Sequence, residues 1–470
     1  MWRVTRVVIV GGGPGGYEAA LVASQLGGEV TLIDRDGLGG AAVLTDCVPS
    51  KTLIATAEVM TSMQSASELG LTIGGGTVQH AINVNLGVVN RRVLDLARAQ
   101  SEDITHNLAA SGVRVLSGTG RLEGPNAVVA TIDGAEYRFD AEVVLLATGT
   151  RPRELPDAPP DGERILTWKQ VYGLEKVPEH LVVVGSGVTG AEFASAYNAL
   201  GAKVTLVSSR DMVLPGQDED AARVLQDVFA RRGVDVRPRS RAVAVRREGD
   251  GVVVTLATGE TLEASHCLMA VGAVPNTENL GLETANIASN RGYITVDKVS
   301  RTSARGVYAA GDVTGVFALA SVAAMQGRIA MWHSLGDAVT PLDLNRVSSN
   351  VFTSPEIATV GVTQEQVEAG LSTAVGVMVP LRGNARAKMQ NITEGFVKLF
   401  CLPITGIIVG GVVVAPHASE LIHAIAVAVA ERITVESFSH DFTVYPSISG
   451  SIAEAARRLH GHAEEQSITV

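Results

Sequence analysis

The feature that most constrains the fold of this chain is a unit that occurs twice, in which a short apolar run leads into a glycine-rich loop and then into a helix-forming segment. In the first copy, residues 7–10 precede the loop GGGPGG at residues 11–16, which has the spacing GxGxxG. In the second copy, residues 181–184 precede the loop GSGVTG at residues 185–190. Each unit continues into a second apolar run. One GxGxxG loop is weak evidence, but two complete units predict two parallel sheets, each with a dinucleotide site.

Each part of the unit has a physical role at a nucleotide. The glycines let the backbone turn tightly and approach a pyrophosphate, and the amides at the helix N-terminus carry a partial positive charge. An acid at the end of the second strand, here Asp34, accepts hydrogen bonds from a ribose diol. The predicted contacts of the first site are Gly11, Gly13, Pro14, Gly15, Gly16, Asp34 and Arg35.

The two units differ where the first carries its acid. Counting 23 positions from the first glycine reaches Asp34 in one unit and Ser208 in the other, where Ser209 and Arg210 follow. A carboxylate repels a 2′-phosphate, whereas hydroxyls and a guanidinium favour it. We therefore expect FAD at the first site and NADPH at the second. NADH is the alternative nucleotide at the second site, and Arg210 would then be an ordinary charged residue of a solvated loop. The predicted contacts of the second site are Gly185, Gly187, Val188, Thr189, Gly190, Ser208, Ser209 and Arg210.

Composition narrows the class of protein. A chain of 470 residues is long enough for several domains, and its net charge of −11 argues against nucleic acid and anionic membranes as partners. Its three cysteines are too few and too scattered for a secreted disulfide framework. We expect no signal peptide, because the first residues run directly into a strand and a glycine loop, and no membrane span, because the longest apolar stretch, residues 404–415, is too short for a bilayer. We expect a cytoplasmic enzyme without membrane insertion and without a metal site, because no cluster has metal-ligand spacing.

The segment GGAAVLTDCVPSK at residues 39–51 resembles the active-site segment of the flavoprotein disulfide reductases, the class I pyridine nucleotide-disulfide oxidoreductases, and lipoamide dehydrogenase above all. Other segments resemble the same family, among them ATGT at residues 147–150, GVYAAGD at residues 306–312 and VFTSPEIATVG at residues 351–361. The resemblance covers about residues 4–458. It implies an α/β fold with two Rossmann-like domains, which bind FAD and NAD(P)H, and an α+β C-terminal dimerisation domain of a homodimer.

On this resemblance we expect an FAD-binding domain in residues 1–150, an NAD(P)H-binding domain in residues 151–272, a second part of the FAD and central domain in residues 273–345 and a dimerisation domain in residues 346–470. Asp312 matches an aspartate that hydrogen-bonds the ribityl chain of FAD. The further cofactor contacts that the resemblance implies are Gly39, Gly40, Lys51, Gly120, Thr148, Gly149, Gly272, Gly311, Asp312, Leu319 and Ala320.

The chain departs from the family at three positions that serve dithiol chemistry. Ala42 stands where the family has the first cysteine of its redox disulfide, although Cys47 matches the second. Tyr445 stands where the family has its catalytic histidine, and Gly450 where it has the glutamate that orients the histidine. One thiol cannot close an intramolecular disulfide, and a tyrosine side chain, with a reference pKa of about 10, is a poor base. The resemblance therefore implies a site that no longer handles dithiols.

The residues that serve the hydride-accepting half are retained. Lys51 matches the family lysine near flavin N5, and Glu192 matches its partner. Cys47 is either a charge-transfer donor, if ionised, or a small apolar residue, and Tyr445 can hydrogen-bond an acceptor oxygen. The match is close to lipoamide-dehydrogenase-like NAD(P)H quinone reductases without the redox disulfide. We expect hydride transfer from NADPH to flavin N5, followed by ping-pong transfer of two electrons to a quinone or another small acceptor.

Three other functions stay open from the sequence. A soluble pyridine nucleotide transhydrogenase also needs a flavin without a disulfide, and its acceptor is NAD⁺. A lipoamide dehydrogenase oxidises dihydrolipoamide, which the three departures argue against. A structural or regulatory flavoprotein holds FAD but is not reduced by NADPH.

Overall fold

The computed structural model describes residues 4–72 and 82–467. The described strands, in chain order, are β1 (Arg6–Val10), β2 (Glu29–Asp34), β3 (Arg114–Ser117), β4 (Thr119–Leu122), β5 (Ala127–Ile132), β6 (Ala135–Asp140), β7 (Val143–Leu146), β8 (Thr150–Pro152), β9 (Ile165–Thr167), β10 (His180–Val184), β11 (Lys203–Val207), β12 (Asp235–Arg237), β13 (Ala242–Glu248), β14 (Gly251–Leu256), β15 (Thr261–Ala264), β16 (His266–Met269), β17 (Ala273–Pro275), β18 (Ser289–Asn290), β19 (Tyr293–Ile294), β20 (Val307–Ala309), β21 (Ser348–Val351), β22 (Glu356–Gly361), β23 (Val375–Pro380), β24 (Phe396–Cys401) and β25 (Ile408–Ala415). The described helices are α1 (Pro14–Gln25), α2 (Gly40–Leu44), α3 (Cys47–Gln64), α4 (Leu86–Ala110), α5 (Val188–Ala199), α6 (Glu219–Arg231), α7 (Ala320–Ser334), α8 (Gln364–Glu368), α9 (Ala385–Met389), α10 (Ala418–Ala430), α11 (Val435–His440) and α12 (Gly450–Ser467).

The first sheet is parallel, with strand order β20-β7-β1-β2-β3. Its central strands β1 and β7 are buried almost throughout, as continuous apolar runs in a parallel sheet covered on both faces require. The chain leaves β1 toward β2 on one side, whereas β7 lies on the other. Ligands of doubly wound sheets bind outside the carboxyl ends of the strands at such a switch point. The fold therefore places the first glycine loop at a ligand site.

The second sheet repeats this plan, with strand order β12-β11-β10-β16-β9. Strand β10 pairs in parallel with β11 and β16, as β1 does with β2 and β7. The second glycine loop therefore also lies at a switch point. The chain then returns to the first sheet through β20, in which Val307 pairs with Val144 of β7. The two Rossmann-like sheets predicted from the sequence are confirmed.

The C-terminal part is an antiparallel sheet with strand order β21-β22-β25-β24-β23 that packs against α10 and α12. A buried ion pair joins it to the second sheet. Lys398 of β24 places Nζ 2.7 Å from Oδ2 of Asp218, and 2.8 Å from Oδ2 of Asp220, at the start of α6. The predicted α+β C-terminal domain is confirmed, and this contact fixes it against the nucleotide-binding part.

In the part of the chain that the structure describes, no helix combines the length and the apolar character that crossing a membrane requires.

Candidate active site

A cavity of about 970 Å³ opens at the carboxyl ends of β1, β2 and β7, a volume at the upper end of the range for ligand cavities. The predicted FAD contacts that line it are Gly11, Gly13, Pro14, Gly15, Asp34, Arg35, Gly40, Gly120, Thr148, Gly149, Gly311, Asp312 and Ala320. Cys47 and Ala42 line the same cavity. Gly16 lies in the first turn of α1, Gly39 caps α2, Lys51 lies on α3 and Leu319 caps α7.

The glycine loop is shaped for an approaching phosphate. Gly11 has φ of +105°, and a Cβ atom at this position would collide with the carbonyl oxygen of Ala147. Gly40, at the start of α2, approaches the loop so closely that a Cβ would lie 2.8 Å from Cα of Gly13. Gly13 also caps α1, and no side chain caps this N-terminus. Pro14 has no N–H, and the amides of Gly16 and Tyr17 donate to the carbonyl of Gly13 at 2.9 Å. The amide of Gly15, which lines the cavity, is therefore the first-turn donor that an anion satisfies.

Two carboxylates, those of Asp34 and Asp312, line the cavity. Asp34 accepts hydrogen bonds from the amides of Gly12 at 2.6 Å, Asp36 at 2.8 Å and Gly37 at 2.7 Å. A carboxylate has sites for about four hydrogen bonds, so capacity remains for a ribose hydroxyl. Asp312 accepts a hydrogen bond from Thr150 at 3.3 Å, and burial raises the pKa of its carboxyl. The glycine cradle, the open helix N-terminus and the two acids fit the pyrophosphate, ribose and ribityl groups of FAD.

Three parts of the chain converge on one ion pair. Nζ of Lys51, on α3, lies 2.8 Å from Oε2 of Glu192, on α5. Oε1 of Glu192 accepts a hydrogen bond from the amide of Phe352 at 2.8 Å, and the Phe352 ring centre lies 4.9 Å from Nζ. The Glu192 side chain is 4% exposed and that of Lys51 is 30% exposed. Glu192 is thus fixed on both oxygens, and it holds the ammonium group in one place.

The charge of Lys51 is secured by the same contact. Burial lowers the pKa of Lys51, but the charge and the hydrogen bond of Glu192 outweigh burial, so the pKa is raised above its usual value. The ammonium therefore stays charged at neutral pH. Sequence reasoning predicted Lys51 and Glu192 but missed Phe352, because its contribution is a backbone amide and its segment was interpreted only as the start of a domain.

Cys47 begins α3, and it is a neutral thiol. Burial raises its pKa to about 12, the charge of Asp46 adds to the rise and that of Lys51 opposes it. All three cysteines of the chain lie among the described residues, and all are free. Of the two interpretations of Cys47 that the sequence left open, the raised pKa favours the small uncharged residue over an ionised charge-transfer donor.

Asp46 is a site residue that sequence reasoning missed. It lines the cavity directly before Cys47, and burial raises the pKa of its carboxyl to about 6. The only signal in the sequence was an acid next to the cysteine, and the comparison of this segment with the family assigned no role to that position.

Tyr445 does not lie at this cavity within one chain. It is 85% exposed and lies between β25 and α12, beside the exposed Phe442 and Val444. It lines a second cavity of about 480 Å³ with residues of α12 and β23. Gly450 starts α12 and its amide donates to Oγ of Ser447 at 3.1 Å. The structure thus brings Lys51, Glu192 and Cys47 together, and leaves Tyr445 on the surface of the chain.

The second glycine loop has the same form as the first. Gly187 caps α5 without a side-chain hydrogen bond, and Val188, Thr189 and Gly190 form the first turn of the helix. Gly185 has φ of +110°, close to the value at Gly11. Gly272 follows β16 and accepts a hydrogen bond from the amide of Arg153 at 2.9 Å.

The hydroxyl of Ser208 makes its hydrogen bonds inside the protein. This residue is fully buried, and its hydroxyl donates to the carbonyl of Arg210 at 3.1 Å and accepts from Ser186 at 2.7 Å and from the Arg210 amide at 3.1 Å. The hydroxyl at the end of a buried strand is used to hold its own loop, so a direct phosphate contact is not available to it. Ser209 and Arg210 are exposed beside it. Within residues 4–72 and 82–460, no group of three or more His, Cys, Asp or Glu side chains is arranged to hold a metal.

Comparison with known proteins agrees with this geometry. A curated relative, the NAD(P)H dehydrogenase (quinone) of Mycobacterium tuberculosis, is 55% identical over 470 residues, which are 98% of this chain and 94% of that protein. The dihydrolipoyl dehydrogenase of Zymomonas mobilis is 33% identical over 464 residues, which are 97% of this chain and 98% of that protein. The crystal structure of LpdA from Mycobacterium tuberculosis superposes with a TM-score of 0.92 at 55% identity and covers 97% of this chain and 100% of its own.

Family models match two parts of the chain. Residues 5–327 match the model of the pyridine nucleotide-disulphide oxidoreductases, and residues 347–456 match the model of their dimerisation domain. The chain therefore belongs to the pyridine nucleotide-disulphide oxidoreductase family and carries its dimerisation domain.

Proposed function

We propose that this protein is an FAD-dependent NAD(P)H dehydrogenase that reduces a quinone. The observation that carries the proposal is the Lys51–Glu192 pair, whose two charges act on Cys47. Cys47 is protonated, and it lines the cavity together with Ala42, which stands where the family has its first thiol. The 55% identity with an NAD(P)H dehydrogenase (quinone), against 33% with a dihydrolipoyl dehydrogenase, supports the same assignment.

The chain's own residues hold the cofactor. The glycine loop and the N-terminus of α1 bind the pyrophosphate, Asp34 binds the adenosine ribose and Asp312 binds the ribityl chain. When bound, FAD accepts a hydride from a nicotinamide nucleotide and passes two electrons to an acceptor. Lys51 would stabilise negative charge on a bound flavin ring, because a fixed ammonium in a partly buried site needs no reorganisation. Glu192 and the Phe352 amide keep that ammonium in position.

Where the family has its two cysteines, this cavity has two small, uncharged side chains, Ala42 and Cys47. Ala42 has no thiol, and the protonated Cys47 is no nucleophile, so a dithiol relay has no starting group. A quinone takes two electrons without such a relay. A flat apolar acceptor therefore suits this wall of the cavity better than a disulfide acceptor such as oxidised lipoamide does.

A homodimer completes the site in this proposal. Phe442, Val444 and Tyr445 expose large apolar surface on the segment before α12, inside the match to the dimerisation domain. Exposed apolar groups of this size are typical of an interface. Tyr445 then reaches the cavity of the partner subunit and hydrogen-bonds an acceptor oxygen there.

The protein acts in the cytoplasm.

NADPH is the preferred donor in this proposal, and NADH the weaker one. Ser208 fixes the loop after β11 through the hydrogen bonds of its buried hydroxyl. Ser209 and Arg210 are exposed on that loop, and a guanidinium there makes charge-assisted contacts with a 2′-phosphate.

A steady-state panel tests the function. The protein is assayed with NADPH and NADH against a benzoquinone and an NAD⁺ analogue, and with dihydrolipoamide against NAD⁺. We expect quinone turnover with preference for NADPH, and negligible dihydrolipoamide oxidation. Turnover of dihydrolipoamide at a rate similar to that of the quinone contradicts the proposal, and exclusive transfer to the NAD⁺ analogue identifies a transhydrogenase instead.

A further inference from the structure

Asp46 occupies an unusual position for a carboxyl. It is the N-cap residue of α3, where an aspartate commonly accepts a hydrogen bond from the helix, but its side chain makes no capping bond. Its carboxyl receives no hydrogen bond from the residues that the structure describes, and it lines the cavity that also holds Ala42 and Cys47. We propose that Asp46 is a further catalytic residue, the acid that donates a proton to the electron acceptor. This inference rests on the proposed function.

Other ionisable groups face Asp46 from each surrounding element. Lys51 and Cys47 lie on the same helix, Glu192 on α5, Asp312 after β20 and Lys169 after β9. Tyr172, from the turn after Lys169, is buried, its hydroxyl has no hydrogen-bond partner among the described residues, and after burial the Asp46 charge contributes most to its raised pKa. A carboxyl that lines the cavity without a protein partner, next to which a buried phenol also lacks one, is a group that a ligand or a water completes.

Two neighbours of Asp46, Lys51 and Cys47, are poor proton donors. Lys51 is paired with Glu192 and its pKa is raised. The Cys47 thiol, with a pKa of about 12, is too weak an acid to donate its proton efficiently at neutral pH. Burial raises the pKa of Asp46 to about 6, the charges of Glu192 and Asp312 add to the rise, and those of Lys51 and Lys169 oppose it. An efficient general acid has a pKa near the working pH, and an apolar ring placed over the carboxyl raises the pKa further by removing water.

The step balances without another reactant. Reduction of a quinone to a hydroquinone needs two electrons and two protons. The two electrons and one proton come from the cofactor after NADPH has reduced it. The second proton passes from the Asp46 carboxyl to the developing hydroxyl oxygen, which breaks the carboxyl O–H bond and forms the acceptor O–H bond. Asp46 is left as a carboxylate and regains a proton from solvent.

Anaerobic double-mixing experiments on the FAD-bound protein test the role. NADPH first reduces the flavin, and a benzoquinone is then added at several pH values. In Asp46→Asn the first step is expected to keep its rate, while the second slows about a hundredfold and loses the pH dependence centred near pH 6. The matched control is Asp95→Asn, which removes the same charge from an exposed side chain that does not line the cavity and leaves both steps unchanged.

A spectroscopic readout is independent of turnover. Infrared difference spectra of the oxidised FAD-bound protein, taken across pH 6, should contain a protonated-carboxyl band that Asp46→Asn lacks. The inference is overturned if Asp46→Asn keeps both the fast, pH-dependent second step and the infrared band of a protonated carboxyl. If Asp46→Asn fails to hold FAD, Asp46→Glu must retain the pH-dependent second step, and a slow, pH-independent step in Asp46→Glu also overturns it. A wild-type protein that NADPH reduces but the quinone does not reoxidise refutes the proposed function instead, and the infrared band still reports on Asp46.

Discussion

Lys51→Met separates the electrostatic role of the ammonium from its structural role. Nζ lies 2.8 Å from Oε2 of Glu192, and at an effective dielectric constant of about 20 the attraction over that distance is roughly 6 kcal/mol. Desolvation of the two charges offsets much of this attraction. The substitution leaves the Glu192 carboxylate buried with the Phe352 amide as its remaining donor among the described residues, which costs about 3–5 kcal/mol of stability.

The rate of the first step reports the electrostatic role. We expect the anaerobic reduction of bound FAD by NADPH to slow about a hundredfold in Lys51→Met, because a fixed positive charge is removed from the reacting end of the ring. The double variant Lys51→Met with Glu192→Gln removes the buried charge as well, so its urea midpoint recovers while its reduction stays slow. The control Lys176→Met changes an exposed lysine and alters neither quantity.

Two results would refute this reasoning. If the FAD bound to Lys51→Met is reduced at the wild-type rate, the ammonium does not stabilise the developing charge. A double variant that recovers the rate together with the stability would show that Lys51 acts only by neutralising Glu192.

Three further predictions follow from individual side chains. Cys47→Ser is expected to change the steady-state quinone reductase rate by less than about threefold, because a thiol with a pKa of about 12 is no nucleophile at neutral pH, and a large loss would contradict this. Arg210→Ala should raise KM for NADPH about tenfold, the worth of one charge-assisted contact, and leave KM for NADH unchanged; equal effects on both would contradict the NADPH assignment. The pKa of Asp46 is raised from 3.8 to about 6, so protonation favours the folded state, and this contribution is complete below the unfolded pKa and lost as pH rises through 6. Asp46→Asn should therefore be more stable than the wild type above pH 6, by up to about 3 kcal/mol, and equally stable below about pH 4; urea denaturation at the two pH values measures the difference, and an unchanged stability at high pH would contradict it.

The sequence predicted the features that depend on residue type and short spacing. The two glycine loops, with their flanking strands, define two parallel sheets, and the structure contains both. Lys51 and Glu192 are 141 positions apart, and they were paired through resemblance, which their 2.8 Å contact confirms. These predictions succeed because the loops and the ion pair leave a signature in side-chain identity.

The remaining features depend on backbone contacts and burial, which side-chain identity does not encode. Phe352 supports Glu192 through its amide, a group that every residue except proline has. Ser208 has the hydroxyl that the prediction required, but its place at the end of a buried strand directs that hydroxyl into the protein. Asp46 could be recognised as a site residue only from its surroundings in the structure, because burial is what raises the pKa of its carboxyl to about 6. Tyr445 lies on the surface of its own chain, so its role depends on a second subunit.

The central claim is that the hydride-accepting half of the site is intact and that the dithiol half has been replaced by direct transfer to a quinone. The most direct test is a single-turnover experiment in which the NADPH-reduced protein is mixed anaerobically with a benzoquinone or with oxidised lipoamide. The account predicts that the benzoquinone restores the flavin absorbance rapidly, whereas lipoamide leaves it bleached. Rapid reoxidation by lipoamide, or none by the quinone, would contradict it.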